Sequence, residues 1–236
     1  MRVLLFGATG MVGQGVLREC LLDPEIEGVL SIVRRSSGAQ HAKLREIVIS
    51  DFYDYSTIEG QLAGYDACFF TLGASSVGMN EAAYRRVTYD LTLAAASTLA
   101  RLNPAMTFLY VSGAGTDSTA RGRTMWARVK GETENALLGL PFKAAYMFRP
   151  GMIVPRHGIK SKTRIYQFIY SLAGPLFPLL EAALPKLVTA TDKLGRAMIY
   201  AAKYGAPKRV LETSDIDALV KQDAALRRPD AVSSPL

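Results

Sequence analysis

Histidine, cysteine and tryptophan are scarce in this chain: two, two and one among 236 residues. His41 stands in a polar stretch and His157 in a basic one, and no GxSxG turn surrounds any serine, so a nucleophile with its base cannot be assembled and hydrolase chemistry is excluded on inventory. Cys20 and Cys68 fall in stretches that read as helix and strand interior, with no CxxC or Cys/His spacing. That pattern excludes a metal centre and leaves two buried, reduced thiols. A GxxxxGK[ST] element is missing too, which argues against nucleotide triphosphate hydrolysis. The longest uncharged stretch of the C-terminal half, 165–180, is interrupted by Gln167, Ser171, Pro175 and Pro178, and it falls short of the roughly 20 apolar residues that span a bilayer. The opening MRVLLFGATG is too short in its apolar core and too rich in glycine for a secretory signal, so a cytoplasmic location is expected.

What is present is the composition of a globular domain: 49% hydrophobic, 21% charged, with 20 Gly and 11 Pro. The length suits one domain whose core needs no metal or disulfide staple. The charge is uneven, 28 Lys and Arg against 21 Asp and Glu for a net +7, which admits polyanions, acidic membranes and phosphorylated ligands as partners. The bases are dispersed along the chain, at Arg34, Arg85, Arg121, Arg156, Arg196, Lys208 and Arg227 among others, without an RNP, helix-turn-helix or zinc pattern, so no nucleic-acid partner is expected.

Short runs rich in Val, Ile and Phe alternate with helical patterns. Strands are expected at 2–6, 28–33, 46–49, 67–71, 107–112 and 144–148, and amphipathic helices at 12–22, 81–102 and 125–138. This β-α-β rhythm predicts an α/β fold: a doubly wound parallel sheet of the Rossmann type. After Pro150 the pattern loosens, and a small C-terminal substrate lobe is expected over about 151–190, followed by a helix over 192–203 and, over 211–220, a short strand or turn and then a helix with Ser214 as its N-cap. The whole reads as one domain over 1–226 with a mobile tail at 227–236.

The strongest local signal follows the first strand. Gly7, Ala8, Thr9, Gly10, Met11, Val12 and Gly13 have the spacing GxxGxxG and lead into a helix. Gly7 permits the tight turn, Gly10 lets the backbone approach a pyrophosphate, and Gly13 lets helix pack on strand, while the helix N-terminus offers free N–H groups to the phosphates. Gly15 is assigned to close packing. After the second strand stand Arg34, Arg35, Ser36 and Ser37 with no acid, which favours the 2′-phosphate of NADP over the free hydroxyl of NAD; the alternative is a pair of solvated loop charges. Asp51 and Phe52 are placed to border an adenine, or Asp51 caps a turn. Leu72, Gly73 and Ala74 supply small or apolar side chains where a ribose or nicotinamide would pass.

With those residues in place, the sequence resembles the short-chain dehydrogenase/reductase superfamily, in its atypical NAD(P)-binding branch with NmrA-like and Tat-interacting-protein-like oxidoreductases. The resemblance covers about residues 1–205 and rests on GATGMVG at 7–13, RRSS at 34–37, LYVSGAG at 109–115, WARVKGETE at 126–134, FRPGMI at 148–153 and TDKLGRAM at 191–198. It implies a Ser-Tyr-Lys site in which lysine holds ribose and lowers the tyrosine pKa, tyrosine exchanges the proton, and serine steadies the substrate oxygen. Here Ser112 and Lys130 match, but the residue four before Lys130 is Trp126. An indole N–H does not titrate in the useful range, so the tyrosine chemistry is in doubt, and Trp126 either borders the nicotinamide or packs against the lobe. The resemblance thus implies an NADPH-dependent reductase of a small acceptor, or a noncatalytic dinucleotide sensor or interaction module, with a small-molecule substrate and a possible homodimer. The bases Arg156, Lys160, Lys162 and Arg164 precede the apolar 165–180 and serve lobe packing, a substrate or partner surface, or a membrane surface.

Overall fold

The computed structural model describes residues 1–159 and 187–227. Its strands are β1 (Arg2–Phe6), β2 (Gly28–Val33), β3 (Leu44–Val48), β4 (Ala67–Phe70), β5 (Thr107–Val111), β6 (Ala144–Arg149), β7 (Met152–Val154), β8 (Val188–Ala190) and β9 (Val210–Glu212). Seven of them form one parallel sheet in the order β3-β2-β1-β4-β5-β6-β9, and β7 pairs with β8 in a separate parallel ribbon. The helices are α1 (Met11–Leu22), α2 (Glu81–Arg85), α3 (Leu91–Leu102), α4 (Met125–Leu138), α5 (Thr191–Tyr204) and α6 (Thr213–Leu226). The expected doubly wound α/β sheet is therefore the fold observed.

Strand β1 lies in the interior of the sheet, and both of its faces are apolar. Val3 and Leu5 enter a core shared with α1, α5 and α6, whereas Leu4 and Phe6 enter a second core with α3 and the 3₁₀ turn Ser56–Gln61. A strand covered on both sides has no polar face to show, which is why it reads as an unbroken apolar run. In the second core Phe6, Phe70 and Phe108 stack at successive strands, with ring centroids 5.1 and 5.8 Å apart, and Phe142 caps the row at 5.0 Å from Phe108. On the opposite face α1 and α5 touch backbone to backbone. A Cβ added to Gly15 would lie 2.6 Å from the Thr191 Cβ, and one added to Gly195 would lie 3.2 Å from the Gly15 carbonyl. Gly15 is thus a packing glycine, and Cys20 and Cys68 are buried free thiols.

Topology then fixes the site. Val3 of β1 pairs with Val29 of β2 on one side and Ala67 of β4 on the other. The chain winds outward from β1 in one direction and returns to its other flank, leaving a crevice beyond the carboxyl ends of β1 and β4, where open α/β sheets bind ligands.

Several boundaries differ from the sequence reading. β3 begins at Leu44 rather than at residue 46 because its pairing with β2 starts at Leu44 opposite Val29. The helical run 81–102 includes a π turn at Arg86–Asp90 between α2 and α3. The N-cap of α6 is Glu212 in place of Ser214: its carboxylate and that of Asp215 form a reciprocal capping box, which satisfies two orphan N–H groups at once. Arg227, expected in the mobile tail, is instead tied to the fold, pairing with both Asp23 at 2.7 Å and Asp223 at 2.8 Å. Of the expected lobe, the β7–β8 ribbon is described; Lys160, Lys162, Arg164, the segment 165–180 and the tail beyond Arg227 lie outside the described residues. Among the described residues no helix is long and apolar enough to cross a membrane, and no group of three or more metal-ligating side chains comes together.

Candidate functional site

The turn between β1 and α1 is built by the absence of side chains. Gly7 has φ +87°, and a Cβ there would lie 2.7 Å from the Leu72 nitrogen and the Thr71 carbonyl carbon. At Gly13 a Cβ would meet the Gly7 oxygen at 2.0 Å. Gly10 is the N-cap of α1, extended at φ −81° and ψ 164°, with its N–H bonded to the Gly7 carbonyl at 2.9 Å and no side chain answering the first helical N–H groups. Gln14 ties the turn down by donating to the Thr9 carbonyl at 3.2 Å. Thr71, which the sequence reading passed over, locks this turn to the end of β4 by donating to the Phe6 carbonyl at 2.7 Å. The donors of Met11, Val12 and Gly13 stand at a positive helix end with no side-chain cap, beside a turn that closes only because Gly7 and Gly13 lack side chains, and this arrangement fits a pyrophosphate.

At the end of β2 Arg34 and Arg35 are exposed. Ser36 and Ser37 are engaged instead with Glu46 of β3. Ser36 Oγ donates to the carboxylate at 2.7 Å, Ser37 Oγ at 2.6 Å and the Ser37 amide at 3.1 Å. An acid does stand at this place, although it is ten residues away in the sequence. Beyond β3, Asp51 accepts from the Tyr53 amide at 2.7 Å, the turn-capping role. Phe52 is 4% exposed and meets Phe6 edge-on at 6.5 Å, inside the second core. Leu72 is half-buried, while Gly73 and Ala74 are exposed, with open space around Gly73.

Across the crevice, β5 and α4 bring together Ser112, Lys130 and Trp126. The Lys130 ammonium donates to the Ser112 carbonyl and stands beside Gly113, whose added Cβ would be 4.0 Å from Nζ. Burial of that amine, only partly offset by the charge of Glu134, lowers its pKa to about 8. The Trp126 ring lies against the loop after β5, 3.5 Å from where a Gly115 Cβ would be. It is half-buried and belongs to neither core. Gly131 follows Lys130 and lets the loop rest on α4, since a Cβ there would sit 1.7 Å from the Asp117 oxygen.

Ser112 faces the interior. Its Oγ lies 2.5 Å from Glu134 Oε1, which makes the carboxylate the acceptor of its one proton. Glu134 in turn takes Arg149 Nε at 3.0 Å and the Arg149 Nη2 as well, and Arg149 reaches Ser118 Oγ at 2.6 Å and Glu212 at 3.3 Å. Glu134 is 1% and Arg149 7% exposed. The sequence did carry a signal for this pair, a charged residue closing the apolar strand AAYMFR, because a buried guanidinium requires an acid. His157, in a left-handed turn at φ +57°, faces Asp192 at 3.6 Å.

No family model matches the chain. A protein of Aspergillus terreus named "Protein fmp52-2, mitochondrial" is 26% identical over 231 residues, covering 93% of this chain and 96% of its own. Among solved structures, a short-chain dehydrogenase/reductase family oxidoreductase of Burkholderia thailandensis superposes with a TM-score of 0.67 at 15% identity, covering 96% of this chain and 98% of its own. The Bordetella bronchiseptica enzyme WbmF in complex with NAD+ gives 0.63 at 14% identity over 97% and 79%. The chain has the short-chain dehydrogenase/reductase fold. In this chain the Gly7–Gly13 turn follows β1 and the Ser112–Lys130 edge follows β5, both at the carboxyl edge of the parallel sheet. The cytoplasmic location expected from the N-terminus is overturned, because the curated relatives, those of Emericella nidulans and Eremothecium gossypii included, are named as mitochondrial proteins. The error lay in treating the lack of a secretory signal as if it specified a compartment.

Proposed function

We propose that the chain is an NADPH-dependent reductase of the atypical short-chain type, acting on a small acceptor. The observation that carries this reading is the β1–α1 turn, where Gly7 and Gly13 close the backbone against Thr71 and Leu72 and the α1 N-terminus is left without a side-chain cap at the carboxyl edge of the sheet. NADPH, when bound, supplies the hydride. The backbone donors of Met11, Val12 and Gly13 hold the pyrophosphate, Arg34 and Arg35 hold the 2′-phosphate, and the Lys130 amine holds ribose hydroxyls. Trp126 stands where a tyrosine would exchange a proton, and its indole covers the site without titrating. The acceptors that suit such a site are electron-poor conjugated ones, whose reduced form takes its proton from water rather than from a strong side-chain acid.

Titration with NADPH, followed by its fluorescence and by the melting temperature, tests the first half of this reading; no change in either at millimolar cofactor refutes it. NADPH oxidation with carbonyl, quinone and flavin acceptors tests the second half. Two observations favour a second reading, a noncatalytic dinucleotide sensor: Trp126 replaces the tyrosine, and the Ser112 hydroxyl is turned to Glu134. Trp126→Tyr separates the two. Dehydrogenase activity gained on that change means the remaining site is intact, and steady oxidation by the unaltered chain rejects the sensor.

A further inference from the structure

The residues after β2 hold two cations and two hydroxyls, and the fold adds one anion that the local sequence does not show. Glu46 pairs across the sheet with Ser31, three residues before Arg34, and its side chain collects both hydroxyl protons of the following turn, from Ser36 at 2.7 Å and from Ser37 at 2.6 Å. The Ser37 amide reaches both carboxylate oxygens, at 3.1 and 3.3 Å. Each serine has a single proton to give, so neither hydroxyl donates elsewhere while Glu46 holds it. The carboxylate stays ionised near neutrality: partial burial pushes its pKa up, but the bonds from Ser37 and Ser36 outweigh this and leave it below the ordinary value. With Arg34 and Arg35 the cluster carries one net positive charge instead of two.

We propose that Glu46 is a specificity-determining residue, which restrains the preference for NADPH over NADH that Arg34 and Arg35 create. This inference rests on the dinucleotide reading above. A 2′-phosphate needs donors and cations at the end of the second strand. Here it meets hydroxyls already committed to Glu46 and a like charge behind them. A free 2′-hydroxyl meets no such obstacle, because the Ser36 and Ser37 oxygens keep lone pairs that accept from it. Two forces of opposite sign thus act on one atom of the cofactor, and selectivity between the two dinucleotides is modest in the unaltered chain.

The test is a pair of dissociation constants, for NADPH and for NADH, measured by cofactor fluorescence on the unaltered chain, on Glu46→Gln and on Glu46→Ala. The alanine variant guards against a glutamine that simply re-forms the same hydrogen bonds. Removing the like charge is expected to move the NADH/NADPH ratio of constants about fivefold to tenfold toward NADPH, with the gain shrinking as the Debye length falls from about 10 Å at 0.1 M salt toward 3 Å at 1 M. Arg35→Glu is expected to move the same ratio the opposite way. Binding of both cofactors with a ratio unchanged within about twofold in both Glu46 variants, or shifted toward NADH, overturns this inference and leaves the reductase reading standing. Failure of the unaltered chain to bind either cofactor overturns both.

Discussion

The β1–α1 turn and the β5–α4 edge face the same crevice and are made by opposite means. In the turn, geometry comes from side chains that are missing: Gly7 and Gly13 let backbone lie on backbone, and one threonine hydroxyl holds the assembly to β4. At the edge, geometry comes from side chains that are charged and buried, with Glu134 and Arg149 fixing Ser112 from behind and Glu134 standing near the Lys130 amine. The steric device is confined to one turn and the end of the neighbouring strand, and it fails locally. An ionic device joins distant elements, so its failure spreads through β5, α4, β6 and β9.

The largest expected effect is therefore at the edge. Glu134→Ala leaves the Arg149 guanidinium buried without its bidentate partner, which costs about 3–5 kcal/mol, and the urea midpoint should fall accordingly. Replacing both partners by apolar residues of similar volume should recover most of that loss. If Glu134→Ala alone moves the midpoint by less than about 1 kcal/mol, the pair is not what holds this edge together.

The same contrast sets what was legible in the sequence. The glycines of the turn were legible, because Gly7, Gly10 and Gly13 lie within seven residues and follow a strand, whereas Thr71, which locks the turn from 65 residues beyond Phe6, was not. The six longer parallel strands were legible as apolar runs. The three-residue strands β7 and β8 were not, since a run that short carries no period to detect, and β9 was anticipated only as a short strand or turn from residue 211. Glu46 and Glu134 were missed for a different reason: each matters through partners that only the sheet register or the packing of α4 on β6 brings near, ten residues away for Ser36 and fifteen for Arg149. Phe52 illustrates the converse, an aromatic ring in the expected position along the chain that the fold spends on its core.

A second prediction concerns Lys130. Its pKa of about 8 in the fold lies below the roughly 10.4 of an unfolded lysine. Below pH 8 both states hold the proton and the fold bears the cost of burying a charge. Between pH 8 and 10.4 the unfolded state binds more protons than the folded one, so this group makes stability rise with pH. Cys20 and Cys68 act in the opposite direction over that range, because burial raises both thiols. The difference between the unaltered chain and Lys130→Met cancels the cysteines. That difference should change by on the order of 1–2 kcal/mol between pH 7.5 and 9.5, allowing for partial exposure of the amine, as read from urea midpoints. A flat difference means that Lys130 titrates as an ordinary surface lysine.

The smallest effect on stability sharpens the comparison most. Gly10 differs from Gly7 and Gly13 in that its backbone, at φ −81° and ψ 164°, suits any residue, and an added Cβ would lie 3.3 Å from the Gly7 oxygen, where a shift of a few tenths of an ångström relieves it. Gly10→Ala should therefore cost the fold about 0.5–1 kcal/mol, mainly through a poorer N-cap. If a pyrophosphate lies on this turn, the same methyl group occupies the surface that it must approach, and the dissociation constant for NADPH should rise at least about tenfold, for which 1.4 kcal/mol of lost contact suffices. Stability and affinity measured on the one variant then separate. An affinity that stays within about twofold of the unaltered chain would mean that Gly10 serves the turn alone, and that the uncapped end of α1 is not where the cofactor's phosphates rest.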